Sequence, residues 1–189
     1  MTKKELGMTM PPLALPVCIA GANIDGRPNY CTLAWFTMID DIPPIIGLVM
    51  AKERRTKDGI LENGTFSVNI PSAGMAAVTD YVGINSGHET DKSEVFESFY
   101  GKLETAPMIE ECPLTMECEL LKIIEFETTD MVLGKIVGVY AEEGVFNERS
   151  PDARRLDPLM YLSVGSTYHS LGEKVAEAFK VGKTYRRVT

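Results

Sequence analysis

The window KERRTK, residues 52–57, holds four bases and one acid, a local +3 in a chain of net charge −8. Lys52, Arg54 and Lys57 stand just before or at a predicted helix start. There the free backbone N–H groups and the helix dipole also attract an anion, and Thr56 adds a hydroxyl. A phosphate monoester fits such a place. The same residues would equally make a solvated basic turn, so their neighbours decide between the two. Upstream, RPNYCTLAWFTMI (27–39) reads as a core strand, yet it carries Asn29, Thr32 and Trp35. Buried polar groups without partners cost a few kcal/mol, by the usual ~1–3 kcal/mol for mutated proteins. Such residues either satisfy the protein's own backbone or face something that is not protein. A polar strand beside a basic turn can hold one ligand at both its ring and its phosphate end. The alternative is a turn-capping Asn, a strand Thr and a core Trp.

Other chemistries find little support. The cysteines Cys18, Cys31, Cys112 and Cys118 form no C-x-x-C pair, and His88 and His169 are the only imidazoles, so no metal site is expected. Cys112 and Cys118, on one strand, would lie about 20 Å apart, beyond disulfide reach. All four read as buried thiols. An excess of acids, 27 against 19 bases, argues against a nucleic-acid or anionic-membrane surface. No apolar stretch suits a membrane helix and the start MTKKELGMTMPP lacks a signal-peptide core, so the expectation is a cytoplasmic protein.

The elements that must position these residues are mostly strands. ALPVCIAGANIDGRPNYCTLAWFTMI reads as two strands around a turn at Asp25-Gly26, and IIGLVMA as a third beside them. A short helix is predicted from Thr56 as cap to Gly64 as stop, followed by the strand FSVNI. PSAGMAAVTDYVGI has helical spacing through Met75, Val78 and Val82. Further helices are predicted over SEVFESFY and GEKVAEAFK, and three strands over CPLTMECELLKIIEFETTD, MVLGKIVGVYAEEGVF and DPLMYLSVGSTYHSL. At 189 residues with 44% hydrophobic composition and no linker, this is one domain over 1–189. Strands of uneven length with a few helices favour a mainly β, antiparallel barrel, and the Rossmann glycine fingerprint is absent.

In order and spacing, DGRPN before TLAWFT, the Pro-Pro before a buried strand, the R-x-T turn, FSVNIPS, the DK after an SG loop and a late LG-x-x-V-G strand resemble the flavin reductase-like domain family, nearest its flavoredoxin and ferric-reductase members. The resemblance spans nearly the whole chain and implies an antiparallel split β-barrel, a homodimer and one FMN at its interface. It further implies that Asn29, Tyr30, Cys31, Thr32 and Leu33 line the flavin, that Lys52, Arg54, Thr56 and Lys57 hold its phosphate, and that Trp35 and Lys92 complete the site. Lys92 would place a cation near the flavin ring; its alternative is a solvent lysine paired with Asp91 or Glu89. Tyr168 is a candidate ring neighbour. The lone histidines His88 and His169 suit structural or surface roles. Met131 stands where relatives often have His, and a thioether cannot donate a hydrogen bond. The implied function is an FMN-dependent oxidoreductase passing electrons from NAD(P)H or a redox protein to flavin, ferric or protein acceptors. The alternative is a non-catalytic FMN carrier or storage module; a pyridoxal-phosphate barrel of the pyridoxamine oxidase kind fits the motifs less well.

Overall fold

A computed structural model describes residues 2–148 and 150–186. The chain opens with β1 (Ala14–Pro16), β2 (Cys18–Ile24), β3 (Arg27–Leu33), β4 (Phe36–Asp41) and β5 (Pro44–Ala51). Asp25 and Gly26 both have positive φ, 51° and 75°. They form the expected two-residue turn that sets Ile24 opposite Arg27. The run read as one strand over 27–39 is interrupted at Ala34-Trp35. Its two parts, β3 and β4, become opposite edges of a seven-stranded sheet.

After α1 (Arg55–Asn63), β6 (Thr65–Ile70) and α2 (Ala76–Ile84), the chain continues through β7 (Ser98–Phe99), β8 (Met108–Ile109), β9 (Leu114–Glu125) and β10 (Thr129–Ala141). The main sheet has the order β3-β2-β6-β9-β10-β5-β4, and all its pairs are antiparallel. The expected mainly β split barrel is therefore present. β5 lies against β4 and β10, rather than beside β2 and β3 as its sequence position suggested. The last predicted strand is a hairpin of β11 (Met160–Leu162) and β12 (Thr167–His169), which joins β1 in a separate sheet after a short α3 (Ala153–Leu156).

Alternation builds two cores. Cys18, Ala20 and Ala22 of β2, Cys31 and Leu33 of β3, and Ile46, Leu48 and Met50 of β5 fill the barrel with Phe66, Val68 and Val132. Ile60 of α1 closes one end of this core. The α1 backbone comes so near β2 that a Cβ on Gly59 would lie 2.4 Å from the Asn23 carbonyl, so no larger residue fits. Across the sheet, Ile19 and Tyr30 pack with Val82 of α2, Phe96, Ile109 and Cys112.

Two predicted helices do not form. Over 93–100 the chain makes a turn and the short β7, because Phe96 packs edge-on against Tyr30, with ring centroids 5.3 Å apart, and Ser98 meets the Tyr30 hydroxyl at 2.6 Å. These tertiary contacts outweigh a weak local preference. Residues 172–180 are likewise not helical. So short a segment forms a helix only when a face is packed, and Val175 and Phe179 stand in solvent. No helix among the described residues is long and apolar enough to cross a membrane.

Candidate functional site

The start of α1 and the end of α2 meet beside β3. Arg54 is the N-cap of α1, in extended conformation, and no side chain caps that helix start. Its guanidinium donates to the Gly83 carbonyl at 2.8 Å, tying the two helix ends together. Thr56 is not the cap but the second residue of the helix. It is buried, and its hydroxyl accepts from the Asn29 amide at 2.8 Å. That bond fixes β3 to α1. Gly64 ends the helix in the left-handed conformation, as expected.

These elements enclose a cavity of about 480 Å³ whose walls include Asn29, Cys31, Arg54, Arg55, Thr56 and Lys92. Three cations face it against one acid, Glu53. Lys92 is only 2% exposed, and its ammonium donates to the carbonyls of Val82 (3.1 Å) and Asn85 (3.0 Å) at the C-terminal end of α2. Its partners are carbonyls rather than Asp91 or Glu89; Asp91 pairs instead with Arg27 at 2.8 Å. Burial holds Lys92 below the usual lysine range, opposed by the Cys31 sulfur and reinforced by Arg54. Lys92 has no carboxylate partner among the described residues, so this cavity suits an anion.

Glu117 shows what a structurally satisfied buried charge looks like. It takes the Tyr140 hydroxyl at 2.7 Å and the Lys102 and Leu103 amides at 3.0 and 2.7 Å. Burial pushes its carboxyl up, but these donors more than offset that and hold it below the usual range.

A second cavity, about 390 Å³, shares Arg54, Gly83 and Ile84 with the first and continues over Thr32 and Ala34 to Asp80, Tyr161 and Tyr168. Its aromatic wall comes from the β11–β12 hairpin. The Tyr168 hydroxyl donates to Asp80 at 3.0 Å, and burial together with that carboxylate pushes its pKa up to about 12. Thr32 donates to the Thr79 carbonyl of α2.

The sequence-predicted residues are thus divided. Asn29, Cys31, Arg54, Thr56 and Lys92 converge on the first cavity, and Thr32 lines the second. The Tyr30 and Leu33 side chains are turned into the two cores, leaving only their backbone to face a ligand. Trp35 is partly exposed at the β3–β4 break, where its carbonyl accepts from Val49. Lys57 and Lys52 face Asp130 instead, at 2.6 and 3.7 Å, and the Lys57 hydrogen bond comes first among the causes that hold Asp130 below the usual carboxylate range. The Cys31 thiol is raised by burial, against the pull of Thr56, Arg54 and Lys92, and forms a neutral floor.

Sequence reasoning missed Arg55 and the loop Ser86-Gly87 as lining residues. The loop was legible as the SG before DK. A Cβ on Gly87 would lie 2.5 Å from Asn29 Oδ1, so glycine leaves space in the cavity wall. His88 is a surface residue with Nε2 3.2 Å from the Glu53 carbonyl, and His169 bonds Thr167 at 2.8 Å.

Residues 10–172 match the model of the flavin reductase like domain. The chain superimposes on flavoredoxin from Methanosarcina acetivorans with a TM-score of 0.94 and 38% identity, over 97% of this chain and 99% of that one. Flavoredoxin of Desulfovibrio vulgaris (Miyazaki F) gives 0.88 and 31%, over 96% and 100%. An FMN-binding protein from Thermus thermophilus, crystallised with bound 1-cyclohex-2-enone, gives 0.80 and 25%, over 94% and 99%. The chain belongs to the flavin reductase-like family, and a flavin-related redox function follows.

Proposed function

We propose that the protein is an FMN-dependent oxidoreductase that accepts electrons from NAD(P)H or a redox protein and passes them to a flavin, ferric or protein acceptor. The observation that carries this reading is the buried Lys92 ammonium, facing the same cavity as Arg54, Arg55 and Thr56 with no carboxylate partner among the described residues. The phosphate of FMN is assigned to that cavity, held by the two guanidiniums, Lys92 and the uncapped start of α1. Lys92 therefore acts at the phosphate end rather than beside the ring.

The ring system is assigned to the second cavity, over the backbone of β3 from Cys31 to Leu33, with Thr32 and Tyr168 at its edges. When bound, a flavin supplies the electron-transfer chemistry itself, so the chain needs no acid–base pair. Its residues bind the phosphate, orient the ring and exclude water. Lys52 and Lys57, engaged with Asp130, are assigned no direct contact.

A homodimer completes the site in this reading. Its support is the apolar outer face of β5 and β10, where Val49, Met131 and Leu133 are half-buried and Ile39 beside them is exposed. A Cβ on Gly47 would meet the side chains of Ile39 and Leu133, and Val49 lies opposite Met131 on the same outer surface. Met131 thereby serves packing between subunits. Four free buried thiols suit a reducing, cytoplasmic setting.

The test is the purified protein's visible spectrum, followed by rapid mixing of the FMN-loaded form with NADH and with NADPH. A yellow protein bleached rapidly by one nucleotide supports the reading. A colourless protein that fails to take up added FMN contradicts it, and an FMN-loaded protein that no donor reduces is a carrier.

A further inference from the structure

Beyond the last strand, the chain leaves the body as an arm. Leu171 to Lys174 rest near Asp152 and Arg154 at a shallow cleft, and from there the backbone bonds of Lys180 to Glu177, Lys183 to Lys180 and Tyr185 to Gly182 all stay within the segment. Val175 is 99% exposed and Phe179 95%, and Tyr185 also stands in solvent. Val175 and Phe179 are thus two large apolar side chains on a non-helical stretch that the body of the chain leaves uncovered. Two such side chains within five residues leave an apolar stretch free to meet another molecule.

The arm is also charged against the trend of the molecule. Residues 170–189 hold five of the 19 bases and two of the 27 acids, a net +3 in a chain of net −8. The matching surface is β4 and its turn. From Thr37 to Asp41 every residue is exposed, so neither face of that part of the strand is covered. It presents Met38, Ile39 and Ile42, the last 85% exposed, beside the carboxylates of Asp40 and Asp41. An apolar and acidic ribbon is complementary to an apolar and basic arm.

We propose that the arm, residues 170–186, docks on the β4 ribbon of a second copy of this chain. Val175 and Phe179 cover Met38 and Ile42, and Lys180 and Lys183 face Asp40 and Asp41. The proposal rests on the homodimer of the reading above and adds the exchanged arm to it. A pair of arms then clasps the dimer beyond the contact between sheet faces.

The test mixes two variants, Ile42→Cys and Phe179→Cys, under mild oxidation. The native cysteines are all buried and give little background. A disulfide-linked pair of chains is expected, formed more slowly at 0.5 M salt and suppressed by Lys180→Glu with Lys183→Glu. No linkage in the mixture, or linkage only within one chain when both cysteines are placed together, would overturn the proposal. Sedimentation gives a second readout: a chain ending after Lys174 should dimerise at least about tenfold more weakly than the full chain. A dimer unchanged by that truncation overturns the arm alone, whereas a full chain that is monomeric at every concentration overturns the dimer as well. FMN titration of both chains separates either failure from a failure of cofactor binding.

Discussion

The two halves of the main sheet are treated differently. On the β3-β2-β6 side, α1 closes the barrel end with Ile60, and α2 and Phe96 cover Ile19 and Tyr30. On the β9-β10-β5-β4 side, the outward residues Val49, Met131 and Leu133 are half-buried and Ile39 is exposed. The covered half supplies the cavity, because two helix ends meeting over a strand can gather Arg54, Arg55, Thr56 and Lys92 around one point. The open half is the one assigned to the second subunit in the proposed dimer. In the proposed reading, binding chemistry and assembly use separate parts of one sheet.

The largest expected effect comes from forcing the covered half apart. Gly59→Val should cost about 3 kcal/mol in urea denaturation, since α1 cannot approach Asn23 and Ala22 with a branched side chain. It should reduce FMN binding too, as the same helix carries Arg55 and Thr56. A wild-type stability would mean that α1 is not seated as described. Next, Arg54→Ala combined with Arg55→Ala should weaken FMN binding by about 2–4 kcal/mol, from lost charge-assisted bonds to the phosphate. Riboflavin serves as the control that should barely notice.

On the open half, the same size of change should act on assembly instead. Leu133→Lys is expected to shift monomer stability by less than about 1 kcal/mol, the range for surface sites, while sedimentation shows loss of the dimer. A large loss of stability with the dimer retained would reverse the assignment of the two halves. The smallest effect concerns pH. Lys92 has a lowered pKa in the free protein, and a bound phosphate favours its charged form. FMN affinity should therefore fall as pH rises from 7 toward the ordinary lysine range, because the ammonium must first regain its proton. Lys92→Met should bind FMN more weakly and show a flatter profile, with riboflavin unaffected in both.

Much of this was legible in the chain, and the exceptions have physical causes. The alternating runs of β2, β6, β9 and β10 and the Asp25-Gly26 turn carry their own local signals. The break at Ala34-Trp35 does not, because a continuous apolar run is compatible with one long strand or two. Nothing local in SEVFESFY says that Phe96 will insert beside Tyr30. Within KERRTK the excess of charge marked a segment that lines the first cavity, but its division did not show. Successive residues at a helix start point about 100° apart, so Thr56 faces Asn29 while Lys57 reaches Asp130, and that acid lies 73 residues away. Arg55 was overlooked for the same reason, and the burial of Lys92 against the end of α2 was not legible because the path of the loop after α2 is a tertiary property.

Paired titrations of FMN and riboflavin into the cofactor-free protein, followed by flavin fluorescence at pH 7.5, test the phosphate assignment most directly. FMN should bind at least about a hundredfold more tightly, a difference of about 2.7 kcal/mol, and the Arg54→Ala, Arg55→Ala variant should lose most of that gap. Equal affinities for the two flavins in the wild-type chain would contradict it.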